Sequence, residues 1–170
     1  MKRILSIFLI AALSLLITPP TMAEAEQRHN ETTVEDIIAY TEEIGAEYNI
    51  CPELLQAIIE RESRNNPNAT NGGCIGLVQI NEKWHTDRME KLGVTDLYDP
   101  YSNILVGTDY LSELWNEASK KGYGDDLYYV LMRYNMTIDS ANRLYESGNF
   151  SEYAISISER SAELEREHGK

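Results

Sequence analysis

Helix-forming patterns follow one another along most of the chain, and this succession limits the folds that it can adopt. The segment 34–48 carries apolar residues at helical spacing, and Pro52 occupies the favoured first-turn position of a second helix. After a polar loop and a short apolar run at 74–80, Asp99 and Pro100 open the longest helical pattern. No long stretch alternates between apolar and polar residues, as half-buried strands do. The sequence therefore predicts a mainly α domain of six or seven helices, with little or no β structure.

The beginning of the chain differs from the rest. Two basic residues precede an uncharged, strongly apolar stretch, which ends at a Pro-Pro pair and is followed by small residues. This layout is typical of a secretory signal peptide over residues 1–23, with cleavage after Ala23 or Ala25. An uncleaved membrane anchor is the alternative, although a membrane span needs about 20 apolar residues. We therefore expect an exported protein with a flexible N-terminal arm at 24–32, a folded domain at 33–170 and no membrane domain after cleavage.

The charge balance excludes several classes of partner. The chain has 28 acidic and 15 basic residues among its 170, which gives a formal net charge of −13. Binding to the phosphate backbone of nucleic acid needs clustered Lys and Arg, and so does docking on anionic lipid. The three histidines share no metal-ligand spacing. We therefore expect no nucleic-acid partner, no metal site and no cofactor.

Two cysteines, Cys51 and Cys74, flank the second helix. Export to an oxidising compartment favours a disulfide between them. Two free buried thiols are the alternative, because a sequence does not establish the close approach of Cα atoms that a disulfide needs. The disulfide is our expectation.

Glu62 stands out in the second helix because it falls on the apolar face. At about 100° per residue, it lies about 80° around the helix from Leu54, in the middle of the apolar stripe. Glu53 and Glu60 fall on the opposite, polar side. Burial raises the pKa of a carboxylate, and a glutamate that titrates near neutral pH is a competent general acid. Alternatively, Glu62 swings into solvent or pairs with a base such as Arg61.

Four short motifs follow one another along the chain. They are Glu62-Ser63, Gly76-Leu77-Val78-Gln79-Ile80, Asn103 with Gly107, and Arg133-Tyr134-Asn135. In this order they resemble the motifs of soluble lytic transglycosylase (SLT) catalytic domains, which are related to goose-type lysozymes. The resemblance covers about residues 35–146, most of the folded part of the chain. It implies a lysozyme-like helical fold and makes the predicted domain at 33–170 a catalytic domain.

The resemblance also implies a role for each matching residue. Glu62 matches the sole catalytic acid/base of the family. The positions that match its substrate-binding residues are Ser63, Gln79, Tyr134 and Asn135. Alternatives stay open for three of these: a helix-terminating hydroxyl for Ser63, a loop-capping amide for Gln79 and core packing for Tyr134.

Structural roles are expected for three other motif residues. Gly76 is a backbone-geometry position, and Asn103 and Gly107 support the packing, the glycine by allowing a close approach of helices. Arg133 stands where the family often has alanine. It is expected to point outward, although a position facing a substrate carboxylate is the alternative.

The loop after Glu62 constrains the mechanism, because residues 64–74 contain no Asp or Glu. Most glycosidases use two carboxylates, and only Glu82 and Asp87 remain as distant candidates for the second. A site with a single acid can use groups of the substrate in place of the second carboxylate. The N-acetyl group of an amino sugar can attack the anomeric carbon of the same sugar first, and the C6 hydroxyl of that sugar can attack the same carbon second. The resemblance names the bond as the β-1,4 linkage between N-acetylmuramic acid and N-acetylglucosamine in peptidoglycan.

Three functions follow from these observations. The first is an exported lytic transglycosylase that leaves 1,6-anhydro ends, with peptidoglycan glycan strands as substrate. The second is a hydrolytic muramidase on the same scaffold, and the third is a non-catalytic wall-binding assembly protein. A net charge of −13 gives no attraction to an anionic envelope, so we expect the protein to open the wall locally rather than to lyse it in bulk. An envelope-spanning or wall-remodelling machinery is the expected partner.

Overall fold

The computed structural model describes residues 32–124 and 126–170. The predicted signal peptide, both candidate cleavage sites and nearly all of the predicted arm lie outside these residues. The helices are α1 (Val34–Tyr48), α2 (Pro52–Ser63), α3 (Glu82–Leu92), α4 (Pro100–Lys120), α5 (Leu127–Asn135), α6 (Ile138–Glu146) and α7 (Glu152–Glu167). The strands are β1 (Thr70–Asn71), β2 (Cys74–Ile75) and β3 (Ile80–Asn81). The prediction of a mainly α domain is confirmed, and none of the described helices is long and apolar enough to cross a membrane.

Local signals explain where these helices begin and end. Thr33 and Asp36 form a capping box at the start of α1, in which each side chain accepts a hydrogen bond from the other residue's backbone. Asp99 caps α4 by accepting a bond from the Ser102 backbone. Arg64 ends α2 in a left-handed conformation, with φ of 55°, and turns the chain into the polar loop. The last turn of α2 is therefore fixed next to that loop.

Helix α2 lies at the centre of the fold. It packs against α1 on one side and α7 on the other, and α4 and α5 complete the enclosure through their contacts with α1 and α7. Its apolar side chains Leu55, Ile58 and Ile59 are at most 1% exposed. A polar side chain on this apolar face in the last turn therefore borders the core rather than bulk water.

The small sheet follows α2 directly. Its strands pair in the antiparallel order β1–β2–β3, with Asn71 opposite Cys74 and Ile75 opposite Ile80. The apolar run at 74–80 therefore consists of β2, a tight turn and the first residue of β3. Gly76, with φ of 79°, begins that turn by adopting a conformation that favours glycine.

The expected disulfide is not formed, because both cysteines are free thiols. Cys51 precedes the first residue of α2, whereas Cys74 lies beside Glu62 near the last turn of the same helix. A helix of 12 residues is about 18 Å long. Disulfide-bonded residues have Cα atoms within about 7 Å of each other, so α2 holds these two cysteines too far apart.

Glu53 corrects the helical interpretation of α2, because it is buried and not on a solvated face. Its side chain is 1% exposed. The end of the chain folds over the first turn of α2, where Lys170 Nζ and His168 Nδ1 lie 2.6 and 2.8 Å from Glu53 Oε1. Burial alone would raise the pKa of Glu53, but the bonds from these two groups and from Cys51 lower it to about 2.

Candidate active site

Glu62 faces a groove of about 630 Å³ at the C-terminal end of α2. The side chain is partly buried, and burial raises its pKa above the ordinary value of 4.5. A hydrogen bond from Tyr153 and the charge of Arg61 oppose this rise without cancelling it. Such a carboxyl group keeps its proton at higher pH than a surface glutamate does, which suits a general acid.

Tyr153 of α7 holds the Glu62 carboxyl group in place. Its hydroxyl donates a hydrogen bond of 2.5 Å to Glu62 Oε1, and the side chain is largely buried. Burial and the neighbouring carboxylate raise the pKa of Tyr153 well above its ordinary value, so the phenol stays a donor. None of the sequence motifs includes this residue, which lies 91 positions beyond Glu62. A buried tyrosine hydroxyl does need a partner, but the sequence does not say which one.

Asn103 of α4 holds the turn between β2 and β3 against the rest of the domain. It is fully buried, and its Oδ1 accepts a bond of 2.9 Å from the Val78 backbone. Its Nδ2 donates to the carbonyls of Ile75 and Leu97, both at 2.9 Å. A Cβ atom on Gly76 would lie 2.3 Å from that Nδ2, so this approach requires glycine. One side chain thus satisfies three backbone groups that fix the groove wall.

Gly107 brings α4 close to the same turn. A Cβ atom at this position would lie 2.5 Å from Val78 Cγ2 and 3.4 Å from the Tyr134 hydroxyl. The Tyr134 hydroxyl in turn donates a bond of 2.8 Å to the Val78 carbonyl. Tyr134 therefore lines the groove and also ties α5 to the groove wall.

Gln79 and Asn135 line the groove together with Tyr134. Gln79 has a left-handed backbone, with φ of 52°, and its Nε2 donates to the carbonyls of Ala69 and Gly76. The side chain thus caps the loop while it faces the groove. Asn135 ends α5 and is exposed, so its amide is open to a ligand in the groove.

Ser63 differs from the other predicted substrate-binding residues. It is buried, and its hydroxyl donates a bond of 3.0 Å to the Ile59 carbonyl one turn earlier in α2. It is not among the described residues that line the groove. The structure therefore brings Gln79, Tyr134 and Asn135 together with Glu62, whereas Ser63 lies behind them.

Among the residues that the structure describes, Glu62 is the only acidic side chain that lines the groove. Asp87 lies in an adjoining pocket, and Glu82 is exposed at the start of α3. The other polar groups in the groove are amides, phenols, a histidine, a thiol, a threonine hydroxyl and a guanidinium. Over residues 32–124 and 126–170, no group of three or more His, Cys, Asp or Glu side chains is placed to hold a metal ion.

The expectation that Arg133 points outward is wrong. Its side chain is 10% exposed and lines the groove, and its Nη2 donates a bond of 2.9 Å to Glu117 of α4. The guanidinium carbon also lies 6.0 Å from the centre of the Tyr129 ring. These partners on two helices draw Arg133 inward, and neither of them is evident from the motif in which it stands.

Comparison with known proteins gives a family match over most of this structure. Residues 39–156 match the model of the transglycosylase SLT domain. The chain is 34% identical to a transglycosylase of Enterobacteria phage PRD1, over 58% of this chain and 34% of the phage protein. It is 36% identical to the invasion protein IagB of Salmonella typhimurium, over 39% of this chain and 46% of that protein.

A third relative is the membrane-bound lytic murein transglycosylase E of Buchnera aphidicola. The identity is 31%, over 69% of this chain and 58% of that protein. The alignments thus span between about a third and somewhat over half of the length of these three relatives.

Proposed function

Since the chain belongs to the transglycosylase SLT domain family, we propose that it is a peptidoglycan lytic transglycosylase in which Glu62 is the single acid/base. The bond cleaved is the β-1,4 linkage from N-acetylmuramic acid to N-acetylglucosamine, and the product carries a 1,6-anhydro end. One observation carries this proposal: a partly buried glutamate with a raised pKa is the only carboxyl group among the described residues of the groove.

In the first step Glu62 acts as a general acid. The Tyr153 hydroxyl donates to Oε1, so Oε2 carries the transferable proton and gives it to the glycosidic oxygen. The bond from the anomeric carbon to that oxygen then breaks. The carbonyl oxygen of the muramic N-acetyl group attacks the anomeric carbon in place of a second carboxylate.

In the second step the Glu62 carboxylate acts as a base. It takes the proton of the C6 hydroxyl, whose oxygen bonds to the anomeric carbon as the N-acetyl oxygen leaves. Each turnover returns the proton to Glu62 and consumes no water. Because both reacting groups belong to one sugar ring, the closure has a high effective molarity. The Tyr153 bond favours the carboxylate that this step requires.

Other groove residues bind the substrate around this centre. The exposed amide of Asn135 and the side chain of Gln79 are suited to the N-acetyl and hydroxyl groups of the sugars. Tyr134 supplies a ring face next to Glu62, and its hydroxyl is occupied by the Val78 carbonyl. Asn103 and Gly107 position the groove wall without touching substrate.

We place this activity outside the cytoplasm, at the cell envelope. The support is the signal-peptide pattern of the first 23 residues and the wall-directed names of relatives, such as the lytic murein transglycosylase E. We also propose that the enzyme opens the wall locally for an assembly rather than lysing it in bulk. The charge of −13 supports the same view, since it gives no general attraction to an anionic wall.

A matched pair of variants tests the acid assignment. Glu62→Gln removes the proton donor from the groove, whereas Glu82→Gln makes the same change at an exposed site in the first turn of α3. We expect Glu62→Gln to lower the release of soluble fragments from purified peptidoglycan by about 100-fold or more, and Glu82→Gln to retain full activity. Release by Glu62→Gln at the wild-type rate would show that another group is the acid.

A further inference from the structure

We propose that Trp84 and His85 form a sugar-binding platform at the outer end of the groove, beyond the reacting bond. This inference rests on the proposed function, because the occupant is the glycan strand on which Glu62 acts. The platform gives the groove affinity for longer strands and takes no part in the chemical step. Three observations support the platform: Trp84 is exposed, a row of aromatic rings lies along the groove, and Arg88 holds that row in place.

Trp84 is the most exposed large apolar side chain in the described part of the chain, at 81%. It lines the groove of Glu62 and also an adjoining pocket of about 320 Å³, so it stands between the two. Burial of an indole ring is one of the largest hydrophobic contributions that a side chain can make to the stability of a protein or a complex, and Trp84 does not make it within the described part of the chain. Its place on the groove rim indicates a partner that enters the groove.

A row of rings connects Trp84 with the reacting centre. Beginning beside Glu62, the centre of the Tyr134 ring lies 5.4 Å from that of Tyr110, which lies 4.7 Å from that of His85. All three rings line the groove, and Trp84 directly precedes His85. The carbon-bound hydrogens of a pyranose give each sugar an apolar face that packs on such rings. The row therefore forms a track for consecutive sugars of one strand.

Arg88 holds this row in place from behind. It donates a bond of 3.4 Å from Nε to His85 Nδ1, and its guanidinium carbon lies 5.2 Å from the centre of the Tyr110 ring. Its other nitrogens pair with Asp109 and Glu113 of α4. Four partners, one on α3 and three on α4, thus fix the guanidinium and, through it, the His85 ring.

The backbone and the protonation of His85 both suit a neutral platform. Helix α3 is kinked at His85, where φ and ψ are −118° and 15°, so the turn that carries Trp84 departs from the packed part of the helix. Burial and the Arg88 charge lower the pKa of His85, and its Nδ1 accepts the Arg88 bond as a neutral imidazole does. An uncharged surface fits amino sugars, whose N-acetyl groups are neutral.

The shared groove favours the glycan strand as the occupant. Ile138 begins α6, is 42% exposed and lines the groove together with Trp84. Both exposed side chains thus border the groove that holds Glu62, and a strand bound there for cleavage contacts them.

Fluorescence tests the platform directly, because the chain has two tryptophans and the other, Trp115, lines a different pocket. The Trp115→Phe variant in a Glu62→Gln background reports on Trp84 alone without cleavage. The probes are β-1,4-linked N-acetylglucosamine oligomers of increasing length. We expect the emission to shift to the blue and resist acrylamide quenching only with longer oligomers. Trp84→Leu in the Glu62→Gln background should bind the same oligomers roughly tenfold more weakly, measured by calorimetry because this variant lacks the fluorescent reporter.

Steady-state kinetics on soluble glycan strands provides the second arm, with Glu62 intact. Trp84→Leu should raise KM roughly tenfold and leave kcat nearly unchanged, whereas Trp84→Phe should restore most of the affinity. Val34→Ala, another exposed apolar side chain but on α1, is the control and should change neither value.

The two arms separate this inference from the proposed function. If the wild-type protein cleaves peptidoglycan but Trp84 does not respond to oligomers and KM is unchanged, the platform is refuted and the enzyme stands. If Trp84 responds while no cleavage occurs, the platform stands and the catalytic proposal fails. If neither occurs, both are refuted.

Discussion

Replacing Tyr153 with phenylalanine removes one hydroxyl from the candidate active site and keeps the ring in the core. That hydroxyl donates to Glu62 Oε1 and lowers the pKa of the carboxyl group. A hydrogen bond to an ionised group contributes about 1.5–3 kcal/mol. The loss lowers the ratio of ionised to protonated Glu62 at a fixed pH by about 10- to 100-fold, since each 1.36 kcal/mol is a factor of ten.

The pH dependence of kcat/KM on soluble glycan strands measures this change. Because Glu62 acts first as an acid, the pH above which activity falls should move upward in Tyr153→Phe, and the maximal rate should drop. Tyr145→Phe is the matched control: its hydroxyl also donates to a carboxylate, Asp126, but away from the groove. A Tyr153→Phe profile that coincides with that of the wild type would refute the role assigned to Tyr153.

Three further substitutions test the packing around the site and the ion pair at the opposite end of α2. Asn103→Ala leaves three backbone groups without their partner and should lower the free energy of unfolding by about 3 kcal/mol or more, measured by urea denaturation; a loss below 1 kcal/mol would contradict its role. Gly107→Ala places a Cβ against Val78 and should cost about 1–3 kcal/mol and reduce wall-degrading activity; unchanged stability and activity would contradict this contact. Glu53→Gln removes the partner of Lys170 and should destabilise the fold at pH 7. Because the pKa of Glu53 is lowered to about 2 from 4.5, its stabilisation is present above about pH 4.5 and is lost as the pH falls toward 2. Melting temperatures of wild type and variant should therefore converge with acidification, and a constant difference would count against the ion pair.

The parts of the fold that depend on local signals are predictable from the sequence. The capping residues Thr33 and Asp99 and the first-turn Pro52 set helix bounds through contacts within a few residues. The position of Glu62 on an apolar face is likewise a property of one helix. These features need no knowledge of the neighbouring elements, and the mainly α prediction followed from them.

The rest of the site depends on partners that are distant in sequence. Glu62 meets Tyr153 across 91 residues, and Glu53 meets Lys170 across 117. Periodicity places Glu53 on the polar side of α2, and only the tertiary structure shows that the chain end covers that side. The inward orientation of Arg133 is not evident from the sequence for the same reason, because its ion-pair partner Glu117 lies on α4.

The disulfide prediction failed on geometry and not on chemistry. Cys51 and Cys74 are plausible partners by number and compartment, but helix α2 separates them. The ten residues between α2 and Cys74 are long enough to return to the start of the helix, so its length alone does not exclude the bridge. Only the tertiary structure shows that Cys74 instead lines the groove with Glu62.

The mass of the products released from purified peptidoglycan distinguishes the proposed transglycosylase from a hydrolase in one measurement. We predict muropeptides that end in 1,6-anhydro-N-acetylmuramic acid, each lighter by one water molecule than the corresponding reducing-end product. The Glu62→Gln protein, incubated in parallel, should release neither. Products with reducing ends would contradict this mechanism, because they would show that water, and not the C6 hydroxyl of the sugar, is the nucleophile.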